Sequence, residues 1–234
     1  MSWIVEPRDP RTQSIGVEPG YDATALRWPS QPLLKRPLTQ SELSGPAEVR
    51  RRLPLIRGDL AGQGKSRAIG QLIHVRARVV DEDGMPVRGA LVEIWHCNAA
   101  GKYIHANDSH DAPEDPNFYG AARLLAGESG LIELRTIKPG AYPVPDLIRP
   151  GARWWRPPHI HFSVWGRVWL SRLVTQMFFP GEPLNDVDPI LNAIRDRDAR
   201  DRCIARLLPD GRENALVYEY QIVVRGRAAT PVLP

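Results

Sequence analysis

A chain of 234 residues is long enough for one large domain, or for one domain carrying an extended arm. Its 42% hydrophobic and 25% charged residues are the proportions of a globular protein that buries a core. The net charge of +4 is spread among acidic residues, with no basic run beyond Arg50-Arg51-Arg52, which is too weak for a nucleic-acid footprint and at most helps to gather small anions.

Cys97 and Cys203 are the only cysteines, too few for a disulfide framework and not spaced for zinc, so a reducing, cytoplasmic setting is expected. The first ten residues lack the basic-then-apolar pattern of a secretory leader. No apolar run approaches the roughly 20 residues needed to span a bilayer. A soluble protein is the expectation.

Residues 1–65 are rich in Pro, Ser, Arg and Gly and show no sustained period. Their apolar content is too high for a loose tail, so they are read as an arm lying along the body or along a partner chain. Within it, Glu18-Pro19-Gly20-Tyr21 reads as a turn that delivers a tyrosine. Residues 66–234 are read as the main domain. From Gln71 to Val80, Ile73, Val75, Ala77 and Val79 alternate with His74, Arg76 and Arg78, the pattern of a half-buried strand. Asp81-Glu82-Asp83-Gly84 supplies a turn, and Ala90 to Trp95, Leu131 to Ile137, His159 to Trp165, Arg172 to Phe179 and Leu216 to Arg225 read as further strands. Between Asp188 and Leu208, Ile190, Leu191, Ile194, Cys203, Ile204 and Leu207 fall at helical spacing, entered at Asp188-Pro189. The predicted fold is mainly β: an antiparallel β-sandwich with a prealbumin-like core, irregular loops and one short helical segment near 188–208.

The chemistry gathers around Arg156-Pro-Pro-His159-Ile-His161. Residues two apart on a strand share a face, so both imidazoles can reach one point. Tyr103 and Tyr142 lie upstream, each just after a glycine-containing turn. A tyrosine must lose a proton of pKa about 10 to become a ligand, which a strongly Lewis-acidic ion makes easy near neutral pH. Two phenolates with two imidazoles therefore suit Fe(III) better than Zn(II) or Fe(II). The alternative of two histidines and one carboxylate is disfavoured because no Asp or Glu lies between Asp146 and Glu182. Charge counting then points to a substrate. Fe(III) with two tyrosinates and a hydroxide is neutral, and exchanging one tyrosinate and the hydroxide for a catecholate dianion keeps it neutral, so an ortho-diphenol can bind without burying net charge.

Taken with these four residues, Trp95, Gly101-Lys-Tyr103-Ile-His-Ala-Asn-Asp108, Asp115-Pro-Asn-Phe118, Arg135-Thr-Ile-Lys-Pro-Gly140, Tyr142-Pro143 and Arg156 to Phe162 resemble the intradiol ring-cleavage dioxygenases. Within that family they are most similar to the β chains of the protocatechuate-cleaving branch. The likeness continues through Thr175-Gln176, Phe179-Pro-Gly-Glu-Pro-Leu184, Pro189-Ile190 and Tyr220 to Gly226, and takes in the segment from Tyr21 to Arg27. It implies a non-haem Fe(III) held by Tyr103 and His159 equatorially and by Tyr142 and His161 axially. A catecholate would displace Tyr142, and O2 would open the ring between the two hydroxyl-bearing carbons, giving 3-carboxy-cis,cis-muconate. The same resemblance implies that Arg156 stabilises developing negative charge on the ring and that Gln176 sits beside the substrate. It places Tyr21, Arg27, Ile190, Trp95 and Val144 around the substrate, and it implies a related α chain forming an αβ unit in a larger assembly. Val144 stands where β chains of this branch usually carry tryptophan, and the loop from Val144 to Trp155 is longer than usual, so the departures fall on the wall facing the ring substituent.

Singly, each of these residues has an ordinary reading: Tyr103 an edge aromatic, Tyr142 a turn residue, Arg156 a solvated charge, Gln176 a strand-face amide. His105 and His110 read as loop histidines, His74 and His96 as strand-surface ones, and Tyr218 and Tyr220 as core. Two rivals stand beside the main reading. Catechol or hydroxyquinol could replace protocatechuate as substrate. From another class, the strand-turn-strand from Val79 to Val92 also looks like the small prealbumin-like modules that serve for binding, which would make the protein non-catalytic.

Overall fold

The structure is a computed structural model that describes residues 9–13, 55–56, 58–62, 66–144, 154–166, 172–212 and 214–233. Ten strands appear among them: β1 (Leu72–Val80), β2 (Leu91–Trp95), β3 (Ala121–Leu125), β4 (Leu131–Ile137), β5 (Tyr142–Pro143), β6 (Trp155–Arg156), β7 (His159–Trp165), β8 (Leu173–Phe178), β9 (Arg206–Arg212) and β10 (Ala215–Val223). They form two four-stranded sheets, in the orders β4-β1-β10-β9 and β3-β2-β7-β8, and a two-stranded ribbon β5-β6. The predicted sandwich is present.

Its core forms because the alternating strands turn apolar residues toward one another. Ile73, Val75, Ala77 and Val79 of β1, with Tyr218, Tyr220 and Ile222 of β10, meet Val92 and Ile94 of β2 and Ile160, Phe162 and Val164 of β7 in one buried cluster. The same alternation leaves His159, His161 and Ser163 on the opposite face of β7, outside that cluster. Residues 55–56 and 58–62 lie along the sheet edges. Ile56 bridges to Arg123 and Asp59 to Arg135, while Leu60 and Ala61 are fully buried in the core. The remainder of residues 1–65, apart from 9–13, lies outside the described residues.

The structure differs from the sequence reading in four places. First, β1 and β10 run parallel, with Ile73 opposite Leu216 and Val79 opposite Ile222, while every other pair is antiparallel. A parallel pair needs a long crossover, and the chain between these strands supplies one. Second, β3 and the ribbon β5-β6 lie outside the predicted strands: in Ala-Ala-Arg-Leu-Leu only Ala122 is buried and no alternation marks a face, and β5 and β6 are two residues each. Third, the helical region holds two short helices, α1 (Pro189–Asn192) and α2 (Arg197–Asp201), capped by the side chains of Asp188 and Asp196. Ile190, Leu191, Ile194 and Cys203 pack with Phe178 and Leu233 as the helical spacing implied, but Leu207 and Leu208 belong to β9 and pair with Tyr218 and Val217. Fourth, His96 is fully buried rather than on a strand surface, with Nδ1 bonded to the Cys97 carbonyl at 2.7 Å and Nε2 to the Thr136 hydroxyl at 2.9 Å. Both cysteines are free and buried. No helix among the described residues is long and apolar enough to cross a membrane.

Burial lowers the His96 pKa to about 4 despite the helping Cys97 carbonyl. The unfolded chain therefore takes up a proton below about pH 6.5 that the folded protein refuses until about pH 4, so stability falls as pH falls through that window. Between about pH 6 and about pH 5, denaturant unfolding should show the wild type losing about 1 kcal/mol more than the His96→Gln variant. Parallel pH profiles for the two would contradict this account of His96.

Candidate metal centre

Four polar atoms meet at one end of the sandwich. The Tyr103 and Tyr142 hydroxyls are 3.5 Å apart, Tyr142 Oη and His159 Nε2 3.3 Å, His159 Nε2 and His161 Nε2 3.2 Å, and His161 Nε2 and Tyr103 Oη 3.2 Å. They close a ring of four donors.

Each side chain is brought there by its own local rule. His159 and His161 stand two apart on β7, and the register sets His161 between Trp95 of β2 and Gln176 of β8. The Trp95 and His161 rings stack with centroids 4.8 Å apart and planes 6° off parallel, which fixes the imidazole plane. His159 stacks on Phe178, its partner across β8. Tyr142 lies opposite Arg156 in the β5-β6 ribbon. Tyr103 arrives on a loop whose amide at Tyr103 donates to Asp108 Oδ2 at 2.7 Å, and Lys102 Nζ donates to the carbonyls of Asp108 and His110.

Two glycines let the tyrosine loops touch. At Gly101, with φ +83°, a Cβ would lie 2.4 Å from the Ala141 carbonyl oxygen and 3.0 Å from the Tyr142 Cβ. At Gly140 it would lie 2.4 Å from the Ala99 carbonyl oxygen. No side chain fits between these backbones. Asn98 joins the same loops: its carbonyl accepts from both Gly101 and Gly140, and its side-chain oxygen accepts from Ala100 and Lys102.

The ring fits a metal ion better than it fits a hydrogen-bond cluster. Good O–H bonds to oxygen or nitrogen run near about 2.8 Å, whereas ligands about 2.1 Å from a shared tetrahedral centre are about 3.4 Å apart. The observed edges of 3.2–3.5 Å lie with the second value. His159 Nδ1 bonds the Pro157 carbonyl at 2.7 Å, and since a carbonyl only accepts, Nδ1 carries the proton. Burial, with Arg156 and His161 adding to it, holds the His159 pKa well below the ordinary range, and burial with Arg156 and His96 takes His161 down to about 3. Both imidazoles are thus neutral, and the His159 Nε2 lone pair points at the other donors. Burial, then the neighbouring Tyr142, pushes the Tyr103 phenol well above its usual pKa. Such a set accepts a cation and resists any anion. No group of three His, Cys, Asp or Glu side chains able to hold a metal occurs among the described residues, so a metal here must use the tyrosines.

Arg156 is buried beside the ring. Its Nε and Nη2 donate to the two oxygens of Asp188 at 3.1 and 3.2 Å, and Nη2 donates to Gln176 Oε1 at 2.6 Å. Burial works against its charge, but Asp188, Tyr142 and Tyr103 more than compensate and raise its pKa. Nη1 makes no bond among the described residues, and Arg156 lines a cleft of about 330 Å³ together with Trp95, Tyr103, Tyr142, Pro143 and Val144. That volume suits a single aromatic ring with polar substituents.

Most of the foreseen residues therefore converge: the four candidate ligands, Arg156, Gln176, Trp95 and Val144. Ile190 lies deeper, in the cluster with Phe178 and Leu191, where its amide donates to Asp188 Oδ1. Tyr21 and Arg27 lie outside the described residues. His105 and His110, read as ordinary loop histidines, line the cleft. Asp188 and Asn98 were missed. Asp188 offered only a helix-entry signal, and nothing in its spacing ties it to Arg156; Asn98, just before Ala-Ala-Gly, carried the ordinary signature of a turn.

With this geometry in view, relatives become informative. A family model described as Dioxygenase matches residues 44–226. The chain is 44% identical over 233 residues to the protocatechuate 3,4-dioxygenase beta chain of Burkholderia cepacia, covering 98% of this chain and 97% of that one. It is 35% identical to the 6-chlorohydroxyquinol 1,2-dioxygenase of Cupriavidus pinatubonensis, over 53% of this chain and 45% of that one. Among solved structures, 3-chlorocatechol 1,2-dioxygenase from Rhodococcus opacus 1CP shares the fold, with a TM-score of 0.54 and 23% identity over 70% of this chain and 62% of that one. The chain thus spans less than two thirds of the length of the latter two. It belongs to the intradiol ring-cleavage dioxygenases, a family of oxidoreductases. Membership removes the reading as a non-catalytic binding module.

Asp188 is the only counter-charge that the structure gives to Arg156 among the described residues. Removing one partner of a buried ion pair strands the other, so Asp188→Ala should lose about 3 kcal/mol or more in urea unfolding. A variant as stable as the wild type would show that Arg156 finds its compensation elsewhere.

Proposed function

We propose that this chain is the catalytic, β-type subunit of an enzyme that cleaves protocatechuate with O2 to 3-carboxy-cis,cis-muconate at a non-haem Fe(III). The observation that carries this reading is the ring of two phenol oxygens and two imidazole nitrogens at 3.2–3.5 Å, opening on a cleft sized for one aromatic ring. Tyr103, Tyr142, His159 and His161 would hold the ion. When bound, ferric iron draws electron density from a chelated diphenol and so readies the ring for O2. The similarity to the Burkholderia cepacia chain over nearly its full length favours protocatechuate over catechol and hydroxyquinol. It also favours a related α-type partner.

The protein's own groups then have defined tasks. Tyr142, at the mouth of the ring, would as a metal-bound tyrosinate be the base placed to take a proton from an arriving catechol hydroxyl. His159 is kept in the needed tautomer by Pro157, and His161 is kept in plane by Trp95. Arg156, aimed by Asp188 and Gln176, offers Nη1 to negative charge developing on the ring. Val144, a small residue on the cleft wall, leaves room for the ring substituent. We further propose that residues 66–234 form the catalytic sandwich and that the arm of residues 1–65 packs on the body, as its described residues from Ile56 to Ala61 do, or on the partner chain.

Oxygen uptake by the co-expressed αβ complex should be fastest with protocatechuate and at least about tenfold slower with catechol or hydroxyquinol, a barrier difference of about 1.4 kcal/mol. Faster turnover of either rival substrate would reassign the specificity. Tyr103→Phe and His159→Ala should lose iron together with the visible absorption of a tyrosinate–Fe(III) centre; wild-type iron content and spectrum in either would remove that residue from the ligand set.

A further inference from the structure

A second cavity, of about 310 Å³, lies on the outer face of the sheet β4-β1-β10-β9 and shares no lining residue with the cleft. Arg76, Arg78, Arg202 and Arg206 border it, with Glu219 and Gln221. The strand register sorts these charges into two rows. In the first, Arg206, Glu219, Arg76 and Glu133 stand opposite one another across β9, β10, β1 and β4. Arg206 pairs with Glu219, and Arg76 with Glu133 at 3.8 Å, so this row is neutral.

The neighbouring row has no acid among the described residues. Arg78 stands beside Gln221 on β10 and Leu131 on β4, and the bond its Nη1 makes there, to the Ser129 carbonyl at 2.7 Å, brings no negative charge. Arg202 descends onto the sheet from the end of α2, where it is the C-cap residue. Its Nε and Nη2 are shut off from solvent and have no hydrogen-bond partner among the described residues. A guanidinium with closed-off, unpaired donors next to a second uncompensated guanidinium is an arrangement that calls for an anion. The planar forks of Arg suit oxyanions in particular, since two N–H groups can meet two oxygens.

We propose that this cavity binds a small oxyanion carrying two or more negative charges, a phosphate or a polycarboxylate, gripped by Arg78 and Arg202 with the Gln221 amide as a neutral donor. The site stands apart from the metal centre and does not depend on its assignment. Its occupancy would tie the loop that follows α2 to the sheet, and so brace the segment whose other end carries Asp188.

Isothermal titration of the purified complex tests this, with inorganic phosphate, tricarballylate and acetate as separate ligands at constant ionic strength. Saturable binding of phosphate or tricarballylate, but not acetate, is expected; whichever of the two binds more tightly identifies the source. Affinity should fall at least about tenfold in both Arg202→Gln and Arg78→Gln, each a lost charge-assisted contact, and stay unchanged in Arg172→Gln, whose side chain bonds Ser163 on the other sheet. Equal responses to acetate and to the multivalent ions, or undiminished binding in Arg202→Gln and Arg78→Gln, would overturn the proposal. The wild-type comparison among ligands decides the matter even if a variant fails to fold.

Discussion

Two imidazole nitrogens and two phenol oxygens crowd within 3.2–3.5 Å of their neighbours in a buried corner, and this crowding is the constraint to which the surrounding structure answers. In a dry site two phenol protons shared among four lone-pair-bearing atoms, at distances long for hydrogen bonds, leave the corner under-satisfied, and a cation among them satisfies it. The neutral histidines and the elevated Tyr103 pKa express the same condition from the protein side: burial strips charge from each group until a metal restores it. A polyvalent ion that can take a proton's place on both phenols satisfies all four at once.

Holding four such groups together takes support from well beyond them. β7 is rigid because its opposite face is core, with Ile160 and Phe162 fully buried. The tyrosines come from loops, which are less constrained, and there the backbone contact through Gly101 and Gly140 and the branching bonds of Asn98 replace a strand ladder. Arg156 adds a positive charge next to a site built for a cation. Its charge is tolerable because Asp188 takes up two of its donor atoms, leaving one edge for the cleft. Asp188 serves twice, since it also caps α1, so the placement of the helix and the aim of the guanidinium are mechanically one feature.

What could be read in the sequence was whatever depends on local pattern. The strands β1, β4, β7 and β10 alternate, β2 and β8 are short runs rich in β-favouring residues, and a His-x-His on such a strand must share a face. The parallel pairing of β1 with β10 could not be read, because alternation is blind to strand direction. The start of β9 reads as helix because Leu207 falls four residues after Cys203 and three after Ile204, and only pairing with Tyr218 tells strand from helix there. At the site, resemblance ordered the four ligands and Arg156. The Asp188 partnership lies 32 positions from Arg156 and depends on how α1 docks, which no local signal encodes. The burial of His96 likewise depends on Thr136, a residue on another sheet.

The central claim is that one ferric ion sits among Tyr103, Tyr142, His159 and His161. The most direct measurement is diffraction from crystals of the purified αβ complex with data collected on either side of the iron absorption edge. A single iron-specific peak about 2 Å from all four donor atoms is the predicted result. A catalytically active crystal with no iron peak at that point, or with its iron bound elsewhere in the chain, would contradict it.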